Sequence, residues 1–373
     1  MQIIKHLLRS ASVGTQRELI SLHYGAGAGQ KIYLQASLHA NEQPGMLVAH
    51  HLRQALEKLD ADGQIQGQVV LVPMANPIGL SQWLLNSAHG RFDMTSGENF
   101  NRNYHEMVDT VADQVASKLG ADAAINVELI REAMREAMAT LPAETELQDL
   151  RRSLLALSMD ANVVLDLHCD AEAVLHLYTG TDLWPQCEPL ARLMGAHATL
   201  LAKESGGSPF DEACSKIWWQ LAERFEGRFP IPPACLSVTV ELRGNRDVDH
   251  ALAAQDAAAI LDFLRHRGVI KGQAPALPAL VHAASPLAGS MPITAASSGV
   301  LTFLKKPGTS LRVGEVPGRT DRPDERASDR AQVAGRRRAL RAYQRPLCDG
   351  RHEDRQGGRR AGDTHRQFVE QLI

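Results

Sequence analysis

Short runs rich in valine, isoleucine and leucine recur along the chain, and segments with apolar residues at helical spacing lie between them. Runs of this kind, bounded by polar and turn residues, are typical of buried strands. The pattern predicts strands at residues 18–24, 31–38, 68–74, 162–168, 173–178 and 236–242. It also predicts helices that begin after Pro44 and that cover residues 211–225 and 247–266.

The alternation of strands and helices predicts an α/β fold with a mixed sheet flanked by helices, in a catalytic domain of residues 1–271. Ligand sites in such folds lie at the carboxyl ends of the strands. Residues from about 105 to 160 are helical in pattern and stand between two predicted strands, so they form a helical insertion. This insertion either packs as a cap or acts as a lid over the site, and both interpretations stay open.

A segment rich in proline and alanine, residues 272–286, predicts a linker. Residues 287–316 follow, and the stretch from Gly299 to Val316 has the glycines and apolar runs of a β-hairpin. The sequence therefore predicts a small C-terminal β domain whose strand pattern stops near Val316.

Residues 317–373 contain 14 arginines, no lysine and 9 acidic residues, so this tail carries +5 whereas the whole chain carries -3. Aliphatic residues are sparse there, which favours a disordered, solvated tail. The abrupt change of composition favours a shifted reading frame more strongly than a solvated tail. A nucleic-acid-binding arm is the weaker interpretation, and we expect no nucleic-acid partner.

The cysteines, the N-terminal residues and the length of the apolar runs exclude several classes of protein. Five scattered cysteines without a C-x-x-C pair indicate neither a disulfide framework nor a thiolate zinc finger, and they fit a reducing cytosol. The N-terminal residues lack the pattern of a signal peptide, and no segment has the unbroken apolar run of a membrane span. We therefore expect a cytoplasmic protein with no membrane partner.

Ligand-type residues follow two of the predicted strands. His39 and Glu42 lie three residues apart where a strand gives way to a helix, and His168 ends a later strand. Imidazole nitrogens and a carboxylate oxygen suit zinc, and a catalytic zinc site has three protein ligands. Each motif alone occurs readily by chance, so the prediction of a metal site depends on their combination. Asp166 shares a strand face with His168 and is a candidate to fix its imidazole.

Glu241 lies near the end of a third apolar strand. Such a glutamate by default meets solvent or pairs with the neighbouring Arg243. Beside a zinc ion it would instead accept a proton from the attacking water and deliver that proton to the leaving amine.

Arginine and asparagine side chains are concentrated in residues 91–104. The planar fork of an arginine matches a carboxylate, and an asparagine adds a further hydrogen bond. Asn101 and Arg102 are therefore candidates to bind an anionic end of a substrate, although such arginines usually form surface ion pairs.

In their order along the chain, these motifs resemble those of the succinylglutamate desuccinylase/aspartoacylase family, a branch of the zinc carboxypeptidase clan. The resemblance covers about residues 30–316 and implies a zinc-carboxypeptidase-like fold with one Zn²⁺ per chain. The residues that match the family's functional positions are His39, Glu42 and His168 as metal ligands, Glu241 as the catalytic glutamate, Arg91 as the group that polarises the scissile carbonyl, and Asn101 with Arg102 as the pair that holds the substrate carboxylate.

The resemblance implies a deacylase that hydrolyses the amide bond of an N-acyl amino acid or a similar small amide. A metallocarboxypeptidase that acts on peptides is the nearest alternative, and a non-catalytic zinc- or ligand-binding protein is a more distant one. The helical insertion is long for the family and the C-terminal β domain looks incomplete, so the identity of the substrate stays open. Homo-oligomers are compatible with the sequence.

Overall fold

A computed structural model describes residues 1–295, 297–323 and 331–333. Its strands are β1 (Gln2–Leu7), β2 (Glu18–Tyr24), β3 (Lys31–Ala36), β4 (Gln68–Val72), β5 (Trp83–Leu84), β6 (Ser87–Ala88), β7 (Val163–Asp170), β8 (His176–Thr179), β9 (Ala198–Leu201), β10 (Leu236–Gly244), β11 (Ser285–Pro286), β12 (Val300–Phe303), β13 (Gly318–Asp321) and β14 (Ala331–Val333). Its α-helices are α1 (Pro44–Ala61), α2 (Pro77–Leu80), α3 (Val108–Val115), α4 (Ala123–Thr140), α5 (Glu146–Ser158), α6 (Trp184–Met194), α7 (Phe210–Arg224) and α8 (His250–His266).

One mixed sheet forms the centre of the fold, with the strand order β1-β2-β4-β3-β7-β10-β8-β9-β11. The four middle strands run parallel to one another: β4 pairs with β3, β3 with β7, and β7 with β10. All eight residues of β7 are buried, as expected for a parallel strand covered on both faces. Because β3, β7 and β10 are adjacent and parallel, the residues at their carboxyl ends meet at one edge of the sheet.

Helices cover both faces of this sheet and bury two apolar cores. Helices α1, α6 and α8 contribute to one core, which includes Leu52, Leu190 and Ile260. Helices α3, α4, α5 and α7 contribute to the other, which includes Met134 and Trp218. The predicted helical insertion thus forms α3, α4 and α5 as a packed layer, with apolar faces against the sheet and α7. Among the described helices, none combines the length and apolar character that crossing a bilayer requires.

The fold class predicted from the sequence is confirmed, and most element boundaries lie within a few residues of the prediction. Helix α1 begins at Pro44, so this proline lies in the first helical turn, as the sequence indicates. Strands β1 and β9 were not predicted. β1 lies at the sheet edge, pairs only with β2 and has no fully buried residue, and β9 is four residues long, so neither shows a clear apolar pattern.

The C-terminal segment differs from the predicted division. The end of the predicted linker joins the main sheet as β11, parallel to β9. β12 pairs not within residues 299–316 but with β13, which lies beyond the predicted boundary at Val316 and pairs in turn with β14. β13 has the sequence Gly-Arg-Thr-Asp, which carries no apolar run for a sequence pattern to detect. Apart from residues 317–323 and 331–333, the predicted arginine-rich tail lies outside the described residues.

Candidate metal centre

The turn after β3 carries two of the candidate ligands. Ser37 adopts a left-handed backbone conformation (φ 65°), which turns the chain sharply as it leaves the sheet. His39 and Glu42 follow and are each 4% exposed. The N–H of Glu42 donates to the carbonyl of His39 at 3.0 Å, and α1 begins at Pro44. The turn thus buries an imidazole and a carboxylate at the carboxyl edge of the sheet.

The imidazole of His168, on β7, lies between two carboxylates. Its Nδ1 donates to Glu42 Oε2 and its Nε2 donates to Asp166 Oδ2, each at 2.9 Å. Asp166 is held in turn by Gln35, whose Nε2 donates to Asp166 Oδ1 at 2.9 Å. Asp166 therefore fixes the imidazole from the side away from Glu42, as its strand position predicts.

The imidazole of His39 is fixed by Asn99. His39 Nε2 donates to Asn99 Oδ1 at 2.8 Å, and the same oxygen accepts the backbone N–H of Asn101 at 2.8 Å. With the proton on Nε2, Nδ1 presents a lone pair, and this atom lies 2.9 Å from Glu42 Oε1. Arg91 Nη1 donates to both atoms, at 3.1 Å and 2.8 Å. His39 Nδ1 and Glu42 Oε1 are thus both hydrogen-bond acceptors, and both face the positive charge of Arg91.

These three side chains make a donor set that suits a metal ion. His39, Glu42 and His168 each place a ligand atom within 4.8 Å of the other two, so the group could hold a metal. Two imidazoles and a carboxylate are the ligands of one common class of catalytic zinc site, and ligating histidines normally have an outer hydrogen-bond partner, as both have here. The guanidinium of Arg91 supports the fit, because it brings positive charge to two of the atoms that a metal would contact.

The charges around the donor set favour binding of a cation. Burial, and next the Arg91 guanidinium, lower the pKa of His39 to about 4, so its Nδ1 lone pair is free at neutral pH. Burial raises the pKa of Glu42, but His39 and His168 hold it well below its usual range. Burial lowers the pKa of His168, yet Asp166 and Glu42 raise it well above the usual value. A metal would therefore meet an ionised carboxylate and would displace a proton from His168.

Glu241 lies beside this group on β10, opposite His168 of β7 in the parallel register. It is 5% exposed, and its Oε2 has no hydrogen-bond partner among the described residues. Burial and the negative charges of Asp170 and Glu42 raise the pKa of Glu241 well above its usual value. The register of β10 against β7 shifts directly after Glu241, where Arg243 has a φ of 66°. Such bulges often direct a side chain at an active site.

A cavity of about 820 Å³, including its open mouth, connects the predicted residues. It is lined by His39, His168, Glu241, Arg91, Asn101 and Arg102, together with residues of the loop that precedes α7, such as Ser205. The structure thus gathers six of the seven predicted site residues around one space, and the seventh, Glu42, contacts His39 and His168 directly.

Asn101 and Arg102, which were predicted to bind a carboxylate, already make hydrogen bonds to the protein backbone. Asn101 Oδ1 accepts the backbone N–H of Phe210 at 2.8 Å, at the first residue of α7, so this oxygen holds the protein backbone. Arg102 Nη1 donates to the carbonyl of Asn101 at 2.7 Å. Lys203 is a further cation on the cavity wall. Arg102, Lys203 and the amide nitrogen of Asn101 are therefore the hydrogen-bond donors that these three residues bring to the cavity wall.

Several residues that shape the site were not predicted. Asn99 lies within the segment 91–104 that is rich in arginine and asparagine, but it is 60 residues away in sequence from His39, which it contacts. Arg151 of α5 fixes Asn99 by donating to its carbonyl at 2.9 Å, which gives the helical insertion a positioning role. Asp170 and His176 lie close to Glu241 only because β10 is inserted between β7 and β8 in the sheet. The strand order, which the sequence does not show, determines these contacts.

Gly90 packs against the turn that carries His39, and its replacement tests this contact. A Cβ at Gly90 would lie 2.4 Å from the backbone nitrogen of Asn41, and the Gly90 carbonyl already accepts the N–H of Ala40 at 2.8 Å. We expect Gly90→Ala to lower the free energy of unfolding by roughly 1–3 kcal/mol and to weaken metal binding. Urea unfolding and metal titration measure both effects. Gly120→Ala is the control, since no atom lies within 4 Å of its Cβ, and equal behaviour of the two variants would contradict the prediction.

Together, the fold and the buried centre define an α/β protein with a candidate metal site at the carboxyl edge of its sheet. The catalytic-domain model of the succinylglutamate desuccinylase/aspartoacylase family matches residues 28–267. The chain therefore belongs to this family of hydrolases, and the resemblance found in the sequence is confirmed.

Solved structures support this assignment. A family member of Shewanella amazonensis SB2B is 26% identical with a TM-score of 0.78, over 90% of this chain and 92% of that one. A structure from Shewanella frigidimarina NCIMB 400, assigned to the same family, is 25% identical with a TM-score of 0.78, over 89% and 90% of the two chains. A family structure from Rhodobacter sphaeroides shares the fold at 16% identity, with a TM-score of 0.60 over 90% and 88%. No curated protein matches the chain.

Proposed function

We propose that the chain is a zinc-dependent hydrolase that cleaves the amide bond of an N-acyl amino acid or a similar small amide with a carboxylate. The observation that carries the proposal is the position of Glu241. Its buried carboxylate lines the same cavity as His39 and His168, and one of its oxygens has no hydrogen-bond partner in the part of the chain that the structure describes. A carboxylate held beside a set of metal ligands in this way is suited to act on a water molecule.

His39, Glu42 and His168 would hold the zinc ion. When bound, zinc supplies Lewis-acid polarisation of the scissile carbonyl and lowers the pKa of a water molecule to about 7. Asn99 and Asp166 would keep the two imidazoles in a fixed orientation through the hydrogen bonds to their outer nitrogens. Such outer partners set the tautomer and raise the basicity of the ligating nitrogen.

Glu241 would accept the proton of the attacking water at Oε2, the carboxylate oxygen to which no described residue donates a hydrogen bond. As the C–N bond breaks, it would return this proton to the nitrogen of the leaving amine. Its raised pKa, caused by burial and by Asp170 and Glu42, makes the carboxylate a stronger base. Arg91 would stabilise the negative charge that develops on the carbonyl oxygen.

Arg102 would bind the carboxylate of the substrate, and its removal tests the substrate class. We expect Arg102→Ala to raise KM for an N-acyl amino acid by about 10- to 100-fold, the effect of losing a hydrogen bond between charged groups, with a smaller change in kcat. Steady-state kinetics measure both constants. The matched control is Arg53→Ala, because Arg53 is exposed on α1 and pairs with Glu57. An unchanged KM in Arg102→Ala would contradict this role.

A substrate panel tests the proposed function as a whole. The purified chain, with its zinc quantified, is assayed against N-acyl amino acids and against peptides with free C-termini. The proposal expects turnover of the N-acyl amino acids. Turnover of the peptides alone would favour a metallocarboxypeptidase, and stoichiometric zinc without turnover of either set would favour a non-catalytic binding protein. The cytoplasmic location, the small-molecule partner and the homo-oligomer stay predictions.

A further inference from the structure

A second group of ligand-type side chains lies beside the first and is not needed to hold its ion. Asp170, His176 and Glu241 each place a ligand atom within 4.8 Å of the other two, and they are 8%, 1% and 5% exposed. The sheet brings them together, because Glu241 on β10 lies opposite both His168 on β7 and His176 on β8. We call Asp170, His176 and Glu241 the second triad.

His176 has the hydrogen bond that ligating histidines commonly make. Its Nδ1 lies 2.8 Å from the carbonyl oxygen of Val174, which can only accept, so Nδ1 carries the proton. In the neutral imidazole, Nε2 then presents its lone pair, and it lies 3.8 Å from Asp170 Oδ2. This separation is too long for a hydrogen bond but leaves the two atoms able to bind one ion. The backbone carbonyl fixes the tautomer that metal binding at Nε2 needs.

The second triad also concentrates negative charge in a buried place. The carboxyl groups of Asp170 and Glu241 lie next to each other, and that of Glu42 is near enough to act on Glu241. Glu241 Oε2 is buried and has no hydrogen-bond partner within residues 1–295 and 297–323, which marks a position that a ligand would satisfy. Buried carboxylates are costly unless they are protonated, paired or bound to a metal.

We propose that Asp170, His176 and Glu241 bind a second divalent transition-metal cation next to the first site. Two carboxylate oxygens and one imidazole nitrogen are hard and borderline donors that suit Zn²⁺ and Mn²⁺. Glu241 is a ligand in this site and the proton acceptor in the proposed reaction, so the chain with one ion bound is the form expected to turn over. The second site does not depend on that reaction, since an ion can be counted without any substrate.

Metal counting on the full chain tests this proposal. The protein is stripped with a chelator, titrated with Zn²⁺ or Mn²⁺, and analysed for bound metal by mass spectrometry and calorimetry. We expect two equivalents per chain, with loss of one in both His176→Gln and Asp170→Asn. His39→Gln is expected to lose the other equivalent and to retain one. One equivalent in the saturated wild-type chain, or unchanged counts in both second-triad variants, would overturn the proposal.

Two histidines at the surface provide the control for adventitious binding. His51 and His250 lie on the surface, with ring nitrogens 3.1 Å apart, and could attract an ion of their own. The two equivalents assigned to the buried sites should persist in His51→Gln. If this variant instead loses the second equivalent, that ion belongs to the surface and the proposal is wrong.

A measurement on the unaltered chain covers the case in which a variant fails to fold. Crystals soaked in Mn²⁺ should give two peaks in an anomalous difference map, one of them among Asp170, His176 and Glu241. A single peak at the first site would contradict the second site. Amide hydrolysis by the chain with one ion bound would still support the proposed function in that case, so the two failures are distinguishable.

Discussion

Replacement of Glu241 by glutamine is expected to lower kcat by about 10²–10⁴-fold, the usual contribution of a general base, while one zinc ion stays bound. Glutamine keeps the size of the side chain but cannot accept the proton of the attacking water. The ligands of the first site, His39, Glu42 and His168, are unchanged in this variant. Steady-state kinetics and metal analysis on the same preparation measure both effects.

The control for this variant is Glu128→Gln on α4. Glu128 is 67% exposed and pairs with Arg131 on the same helix, so its replacement tests the chemical change without touching the cavity. Activity of Glu241→Gln close to that of Glu128→Gln would exclude Glu241 as the base. Loss of all bound zinc together with activity would show instead that Glu241 contributes to metal retention at the first site.

The sequence could predict that these candidate residues would lie close together because each lies at or near the end of a recognisable strand. His39, His168 and Glu241 lie near the carboxyl ends of β3, β7 and β10, and apolar runs make these strands detectable. Parallel strands bring their carboxyl ends to one edge, so a correct fold class was sufficient to expect that the residues would meet. No accurate strand order was needed for that expectation.

Other contacts depend on information that a strand pattern does not contain. His176 reaches Glu241 because β8 is antiparallel to β10 and lies next to it in the sheet. The two residues are 65 positions apart in the sequence. Asn99 reaches His39 through an irregular loop. The return strand β13 has a polar, glycine-led sequence and is recognised only by its pairing with β12. Pairing partners and loop paths are set by tertiary packing, which overrides local propensity.

Replacement of His168 by alanine is expected to remove the first metal ion and, with it, nearly all activity. The imidazole supplies one of three ligands and is 3% exposed, so a water molecule cannot easily take its place. Asp166→Asn keeps the ligand and alters only its partner, and a loss of about 10- to 100-fold in metal affinity is expected from such a change. Metal titration should therefore rank the wild-type chain above Asp166→Asn, and Asp166→Asn above His168→Ala.

Thermal unfolding provides a readout of the same ranking that needs no substrate. An ion that binds only the folded chain stabilises it by about 2.7 kcal/mol when its concentration is 100 times its Kd. Addition of zinc should therefore raise the Tm of the wild-type chain, raise that of Asp166→Asn less, and leave His168→Ala with only the shift caused by weaker sites. The histidine control is His51→Gln on the surface of α1, where His51 is half-buried, and this variant should respond like the wild type. Equal zinc-induced shifts in His168→Ala and His51→Gln would show that the stabilising ion binds outside the first site.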